Sequence, residues 1–430
     1  MRWITRTSVV ALAVATLSAQ APVQQVVAAP GDNPVVHWNE IALDTIMADG
    51  SRSTPSAASL YVAITQAAVY DAVMAIEGTN EPYAFTGYAA PGASVDAAVA
   101  AAAHDVLSHY FPTQKASRLD PAYDAALADV PDGASETDGV SVGQRSALEI
   151  IARRAHDGRD ALAPAPDAFD GTGPGEWRRT NPSGAPVTPY VANVTPFLAE
   201  SPDQFRPKGP HKLTSKRYAE EFERTRIYGG KADTALTDVQ RDPAQDEVAT
   251  FWTENTVRQY NRALRGLANE RGLSTGDSAL LFAMTTIPAA DAMITCWNTK
   301  YHYLAWRPIT AIRLADTDGN PLTTADPAWE PLSLTANHPE YVSGHACLTG
   351  AISRGLEEFL GTKQIDLSIT FVSSGVTVYT HDFARVDDLR SEVEDARVYG
   401  GDHWTTGGTD GTGLGDDLAK WALKRYFEEI

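Results

Sequence analysis

Residues 274–308 have the sequence STGDSALLFAMTTIPAADAMITCWNTKYHYLAWRP. Apolar residues recur at helical spacing through 274–303, which predicts one long helix. Lys300 and Arg307 are seven residues apart. An α-helix turns through about 700° over that distance, so both side chains would lie on one face. Pro308 disfavours helical backbone at the preceding residue, which predicts that the Arg307 guanidinium lies at the end of the helix.

Aromatic side chains flank these two cations. Trp297 lies three residues before Lys300, and Trp306 directly precedes Arg307. Cations that are held beside aromatic rings and away from water are stabilised by an anion between them. The segment therefore predicts an anion site, and an ordinary amphipathic helix with two surface cations is the alternative.

Most of the remaining chain also has a helical pattern. Apolar residues recur at helical spacing in 55–77, 94–110, 137–156, 212–227, 238–268, 274–303, 344–360 and 412–427. Alternating patterns are confined to 369–372 and 376–379, which predict one short hairpin. Two segments rich in Pro or Gly, 160–211 and 314–342, are predicted to be long loops. The predicted fold class is all-α, a helical bundle with long loops and at most a short hairpin.

A second segment with residues suited to anion binding and proton transfer is HPEYVSGHA, residues 338–346. Gly344 lets the backbone approach a ligand closely, and the amides at the start of the helix that follows favour an anion. Ser343 adds a hydroxyl donor, and His345 adds a group that titrates near neutral pH. Taken alone, the segment is weak evidence for a site, and it favours a capping serine with a structural histidine.

The third segment is DARVYGGDHW, residues 395–404. Arg397 and His403 are six residues apart and would face different sides of a continuous helix. Gly400 and Gly401 are expected to end the helix, which would bring His403 back towards Arg397. The alternative is a helix end followed by an exposed histidine.

Together, the spacings Lys-x6-Arg-Pro, Ser-Gly-His and Arg-x5-His resemble those of the vanadium haloperoxidase and type 2 phosphatidic acid phosphatase superfamily. The resemblance is strongest over 297–404 and extends weakly to 66–71 and 251–252, which look like helices of the secreted bacterial haloperoxidase-like branch. It implies a helical-bundle fold and a site for a tetrahedral oxyanion, either vanadate or phosphate.

The resemblance also implies roles for individual residues. It places the oxyanion oxygens against Lys300, Arg307, Ser343, Gly344 and Arg397. It makes His403 the histidine that binds vanadium in the peroxidases or attacks phosphorus in the phosphatases, and His345 the acid–base histidine. His338 and Trp297 are possible halide-binding or supporting residues, with a purely structural His338 as the alternative.

Three positions depart from the superfamily pattern. Val342 stands where proline is usual, and Asp402 places a carboxylate beside His403 where an apolar residue is common. Gly407, four residues after His403, replaces the Asp that orients this histidine in many relatives. We therefore expect Asp402, Asp410 or a backbone carbonyl to orient His403.

Three functions are compatible with this pattern. The first is a vanadate-dependent haloperoxidase that uses hydrogen peroxide to oxidise a halide, with bromide favoured by His338. The second is a secreted acid phosphatase that cleaves a small phosphoester through a phosphohistidine on His403. The third is a protein that binds an oxyanion without turnover. No glycine-rich nucleotide loop or haem motif occurs in the sequence.

Composition and the N-terminus restrict the partners. The 430 residues include 35 Lys and Arg against 55 Asp and Glu, a net charge of −20, with no basic run. This composition argues against nucleic acid and anionic membrane surfaces as partners. Arg2, Arg6 and the apolar run 9–17 predict a signal peptide over 1–28, a secreted single helical domain over 29–430, and no membrane association after cleavage.

Two cysteines complete the sequence-level predictions. Cys296 lies four residues before Lys300, and Cys347 lies two residues after His345, so the fold would bring their segments together. In an exported protein they are compatible either with a disulfide that braces the pocket or with two buried thiols.

Overall fold

The computed structural model describes residues 33–162, 164–181 and 184–430. The predicted signal peptide over 1–28 lies outside these residues. The described chain forms thirteen α-helices and one antiparallel hairpin of strands β1 (Gln364–Ser373) and β2 (Val376–Arg385). The helices are α1 Pro34–Ala48, α2 Pro55–Glu77, α3 Val95–Tyr110, α4 Asp120–Ala128, α5 Ala134–Arg153, α6 Lys216–Gly229, α7 Pro243–Phe251, α8 Thr256–Glu270, α9 Thr275–Tyr303, α10 Pro308–Arg313, α11 Gly344–Leu360, α12 Val386–Tyr399 and α13 Thr405–Ala422. The predicted all-α helical bundle is confirmed.

Helices α2 and α9 form the centre of the bundle and pack against each other. Both are almost entirely buried, and both are long and apolar enough to cross a membrane by length and composition alone. The core helices of a folded domain pass the same test, because a helix that is apolar on all sides must be covered by neighbours. Ser274 caps the start of α9, where its hydroxyl accepts the Asp277 amide at 3.0 Å, and the helix ends where Leu304 adopts the left-handed conformation with φ of 49°.

The end of α9 corrects one prediction about the two cations. Lys300 lies in the last turn of α9, whereas Arg307 lies beyond the turn at Leu304 and caps the start of α10. They are therefore not two turns apart on one helix face. Both side chains nevertheless approach the same loop, because the turn redirects the chain across it.

Two other helix boundaries differ from the predictions. The segment 238–268 is two helices, because α7 ends at Phe251 and α8 begins at Thr256, where the Asn255 side chain caps it by accepting the Val257 amide at 3.1 Å. Helix α13 begins at Thr405, seven residues before the predicted start. Its first turns are rich in glycine, which favours helix poorly in isolation, so tertiary packing determines the helix there. Helices α1, α4, α10 and α12 lie outside the predicted segments.

Glycines allow α11 and α13 to approach closely, which fixes the segment after Ser343 against the segment after His403. A Cβ atom on Gly415 would lie 2.1 Å from the Cys347 carbonyl oxygen, and one on Gly350 would lie 2.3 Å from the Thr412 carbonyl oxygen. Neither distance leaves room for a methyl group, and the obstructing atoms belong to the backbone. The two helices therefore depend on these glycines for their separation.

We expect Gly415→Ala to destabilise the protein by about 1–3 kcal/mol, because the added methyl group overpacks the contact between α11 and α13. Urea denaturation followed by circular dichroism measures the change. Gly413→Ala is the matched control, since a Cβ atom there meets nothing within 4 Å and alanine favours helix by about 1 kcal/mol. Equal stability of the two variants would contradict the close approach.

Candidate active site

Most of the site residues predicted from the sequence converge on one cavity of about 270 Å³. It lies where the segment after α9, the start of α11 and the turn between α12 and α13 meet, and the start of α2 contributes to its wall. The predicted residues that line it are Trp297, Arg307, His338, Gly344, His345, Arg397 and His403. Lys300 and Ser343 are fully buried and lie outside this lining.

The two cations Lys300 and Arg307 are anchored on backbone carbonyls of the loop segment 338–340. Lys300 Nζ donates to the carbonyls of Pro339 at 2.9 Å and Glu340 at 3.0 Å, and Arg307 Nε donates to that of His338 at 2.8 Å. Burial lowers the pKa of Lys300 to about 8 and also lowers the pKa of Arg307. Carbonyl dipoles stabilise these ions without neutralising them, so the wall of the cavity remains positive.

His403 is held through both ring nitrogens. Its Nδ1 lies 2.9 Å from Glu340 Oε1, and its Nε2 lies 3.2 Å from Arg307 Nη1 at the cavity. Burial and the cations Arg307 and Lys300 keep the pKa of His403 well below its usual value, so the ring is neutral. Because Oε1 also accepts the Trp404 amide at 3.2 Å, we assign the proton to Nδ1, which leaves the Nε2 lone pair facing the cavity.

This geometry corrects the expected orienting group. The residue bonded to His403 Nδ1 is Glu340, and not Asp402, Asp410 or a backbone carbonyl. The sequence pattern missed Glu340 because it precedes His403 by 63 residues and acquires its role only when two loops meet. A signal was present, since the family resemblance implies a carboxylate at position 407, where this chain has Gly407, and Glu340 lies in a segment already singled out. Burial raises the pKa of Glu340 to about 7, against the opposing effect of Lys300 and Arg307.

Arg397 is brought to the cavity by the predicted end of α12. The backbone turns at Gly401, where φ is 74°, and the His403 amide donates back to the Arg397 carbonyl at 3.3 Å. The Arg397 guanidinium forms an ion pair with Asp402 and donates from Nη1 to the Trp252 carbonyl at 3.1 Å. Asp402 therefore satisfies part of the charge on Arg397 instead of orienting His403.

The Ser-Gly-His segment forms the start of α11. Ser343 is the N-cap, and its hydroxyl accepts the Ala346 amide at 3.4 Å. Gly344 lies against the ring of Trp297, where an added Cβ would stand 3.1 Å from Cζ3. Burial and the charge on Arg397 keep the pKa of His345 well below its usual value, so this imidazole is neutral and able to accept a proton.

His338 and Trp297 form an aromatic wall of the cavity. Their ring centroids are 5.1 Å apart, and Arg307 Nη2 approaches His338 Nδ1 to 2.8 Å. Burial and the nearby cations Lys300 and Arg307 lower the pKa of His338 well below its usual value. A neutral imidazole that accepts from Arg307 fixes the guanidinium plane.

The polar groups of this site that lack a hydrogen-bond partner suit an oxyanion. His345 Nε2, Arg397 Nε and Thr54 Oγ1 are buried and have no hydrogen-bond partner in the described part of the chain. Thr54, at the start of α2, lines the same cavity. Within residues 33–162, 164–181 and 184–430, no group of three or more His, Cys, Asp and Glu side chains could hold a metal cation. Fixed cations with unsatisfied nitrogens instead fit an anion with several oxygens.

The two cysteines lie at the back of the site as free buried thiols. Cys296 lies 3.6 Å from the Val342 carbonyl, and a hydrogen bond with Cys347 lowers the pKa of Cys296 against the opposing effect of burial. Of the two alternatives left open by the sequence, the structure has the thiols.

Known proteins resemble this chain in sequence. Residues 280–430 match the family model of the VCPO second helical-bundle domain. The vanadium chloroperoxidase of Curvularia inaequalis is 29% identical over 208 residues, which make up 40% of this chain and 33% of that protein. The match therefore spans about a third of the length of this curated relative. The resemblance to the superfamily is confirmed.

Solved structures confirm the fold over most of the chain. A bacterial vanadium-dependent iodoperoxidase superposes with a TM-score of 0.73 at 20% identity, covering 92% of this chain and 97% of that one. The holo-type structure of a bacterial vanadium-dependent chloroperoxidase gives 0.66 at 18% identity, with 86% and 92% covered. The helical bundle is thus shared beyond the region that the family model matches.

We expect Asp402→Asn to tighten the binding of inorganic phosphate about tenfold, or about 1.4 kcal/mol, because it removes a buried negative charge and frees the Arg397 guanidinium for the anion. Isothermal titration calorimetry measures the change. Asp410→Asn is the control, since the Asp410 carboxylate accepts from the Tyr341 hydroxyl and lies outside the cavity lining. Unchanged or weaker binding in Asp402→Asn would show that Asp402 does not compete with the anion.

Proposed function

We propose that this chain is a vanadate-dependent haloperoxidase that oxidises halide, with bromide favoured, using hydrogen peroxide. The observation that carries the proposal is the position of His403 at the cavity, where its Nε2 lies 3.2 Å from Arg307 Nη1 while its Nδ1 is bonded to Glu340. A neutral imidazole among cations presents a lone pair to an electrophilic centre, while the cations stabilise the oxygens around it. The names of the similar proteins, which include chloro- and iodoperoxidases, support the same chemistry.

The chain would hold vanadate mainly through fixed positive charge. Lys300, Arg307 and Arg397 supply the cations, Ser343 and the Gly344 amide supply neutral donors, and His403 Nε2 supplies the nitrogen ligand. Bound vanadate would supply a Lewis-acidic centre that activates hydrogen peroxide for attack by a halide. In the overall reaction, hydrogen peroxide, halide and a proton give hypohalous acid and water, as the halide loses two electrons and the O–O bond breaks.

The proton that hydrogen peroxide releases needs an acceptor inside this buried site. His345 Nε2 is buried, unpartnered and part of a neutral imidazole. It therefore accepts the proton from the incoming peroxide and returns it as the hypohalous acid or water forms. The lowered pKa of His345 favours rapid release of this proton.

The decisive assay uses residues 29–430, the chain that the predicted signal cleavage would leave, stripped of metal and then incubated with or without orthovanadate. We expect bromination of a phenol that requires vanadate, bromide and peroxide, and that falls by at least about 1,000-fold in His403→Ala. His302→Ala is the control, because His302 is exposed at the end of α9. Phosphate release from an aryl phosphate without vanadate, lost in His403→Ala, would instead establish the phosphatase. Anion binding without either reaction would leave a binding protein.

Bromide preference is tested at His338. We expect His338→Phe to lower kcat/KM for bromide about tenfold, because it removes the acceptor that fixes Arg307 Nη2 and a hydrogen bond to a charged group contributes about 1.5–3 kcal/mol. The ratio of rates with bromide, chloride and iodide is measured for both proteins, with His302→Phe as the control. An unchanged ratio would assign His338 a structural role only.

A further inference from the structure

The ring of His403 is fixed by two contacts at opposite nitrogens. Nδ1 is bonded to Glu340 Oε1 at 2.9 Å, and Nε2 lies 3.2 Å from Arg307 Nη1. A flip of the ring would exchange the nitrogens and place the protonated one against a guanidinium, which has only donors to offer. The acceptor at Nδ1 therefore decides which nitrogen faces the cavity.

Glu340 is itself held from several directions. Its amide donates to the Ala305 carbonyl at 2.9 Å, and its own carbonyl accepts Lys300 Nζ at 3.0 Å. Its Oε1 accepts the Trp404 amide at 3.2 Å in addition to His403 Nδ1. The side chain is fully buried. The carboxylate is thus preorganised by the two loops that it connects, and it does not depend on the anion for its position.

Gly407 provides the space that this carboxylate occupies. A Cβ atom built on Gly407 would lie 2.2 Å from Glu340 Oε1 and 3.1 Å from its Cδ. Gly407 cannot move away freely, because its carbonyl accepts the Ser343 amide at 2.8 Å. Any side chain at position 407 would therefore displace the Glu340 carboxylate from His403.

The other nearby carboxylates are engaged elsewhere. Asp402 pairs with Arg397, and Asp410 Oδ2 accepts the Tyr341 hydroxyl at 2.5 Å. In the described part of the chain, the hydrogen-bond partner of His403 Nδ1 is Glu340.

We infer that Glu340 is the positioning residue for His403. One carboxylate is needed beside His403 Nδ1, and either residue 340, in the loop before α11, or residue 407, in the first turn of α13, can provide it. The role of His403 as an anion ligand rests on the proposed function, whereas the orientation of its ring by Glu340 does not. We therefore expect that loss of the carboxylate at position 340 is compensated by a carboxylate introduced at position 407.

The test compares Glu340→Ala, Gly407→Asp and the double variant Glu340→Ala/Gly407→Asp with the unmodified protein. The first readout is the protonation of His403, measured without vanadate by ¹⁵N NMR of histidine-labelled protein. We expect the Nδ1-protonated form to dominate in the unmodified protein, to lose its dominance in both single variants, and to return in the double variant. The second readout is the orthovanadate Kd from equilibrium dialysis.

We expect each single variant to weaken orthovanadate binding about 10- to 100-fold, the range typical for loss of a group that orients a ligand. The double variant should return to within about threefold of the unmodified protein, a non-additivity that independent structural damage would not produce. Gly413→Asp, on the same helix with open space around it, is the control for an added carboxylate. Thermal unfolding of each variant shows whether it is folded.

Glu340→Gln, which keeps the shape of the side chain, covers the case in which Glu340→Ala fails to fold. We expect it to raise the population protonated at Nε2, because an amide donates as well as accepts. Unchanged protonation of His403 in Glu340→Gln, or losses in the double variant that merely add, would overturn the inference. Restored protonation without any bromination would leave the inference intact and count against the proposed peroxidase.

Discussion

The site depends on two buried cations that are solvated by backbone and not by carboxylates. Lys300 and Arg307 approach one loop segment, 338–340, from the end of α9 and the start of α10, and the carbonyls there accept from both. Burial of a charge costs several kcal/mol unless polar groups surround it. The carbonyls offset this cost only through their dipoles, so the net positive charge persists and favours an anion in the cavity.

Two carboxylates lie at or near the cavity, and each interacts with one neighbouring side chain. Asp402 forms an ion pair with Arg397, and Glu340 Oε1 lies 2.9 Å from His403 Nδ1. Asp402 therefore offsets part of the charge on Arg397, and Glu340 orients His403, while the net charge beside the cavity stays positive. The whole chain carries a net charge of −20, so an incoming anion is attracted only at short range, by the cations beside the cavity.

Glycine serves two distinct purposes in the last third of the chain. Gly350 and Gly415 let α11 and α13 approach until backbone meets backbone, which holds the start of α11 near the start of α13. Gly407 instead leaves a space of side-chain size that is filled by a carboxylate from another loop. In both cases the absence of a side chain on one element determines which atoms of a second element reach the site.

The sequence by itself determined the helical bundle and the arginine and histidine side chains of the cavity lining, because apolar periodicity reflects local burial and because Arg307, Arg397, His345 and His403 occur in short motifs with characteristic spacing. The tertiary structure alone decided that Arg307 lies beyond the end of α9, that Asp402 pairs with Arg397, and that Glu340 orients His403. The last of these outcomes depends on a contact between residues that are 63 positions apart in the chain. A glycine at 407 indicates in the sequence that a carboxylate is missing, but only packing shows which distant residue replaces it.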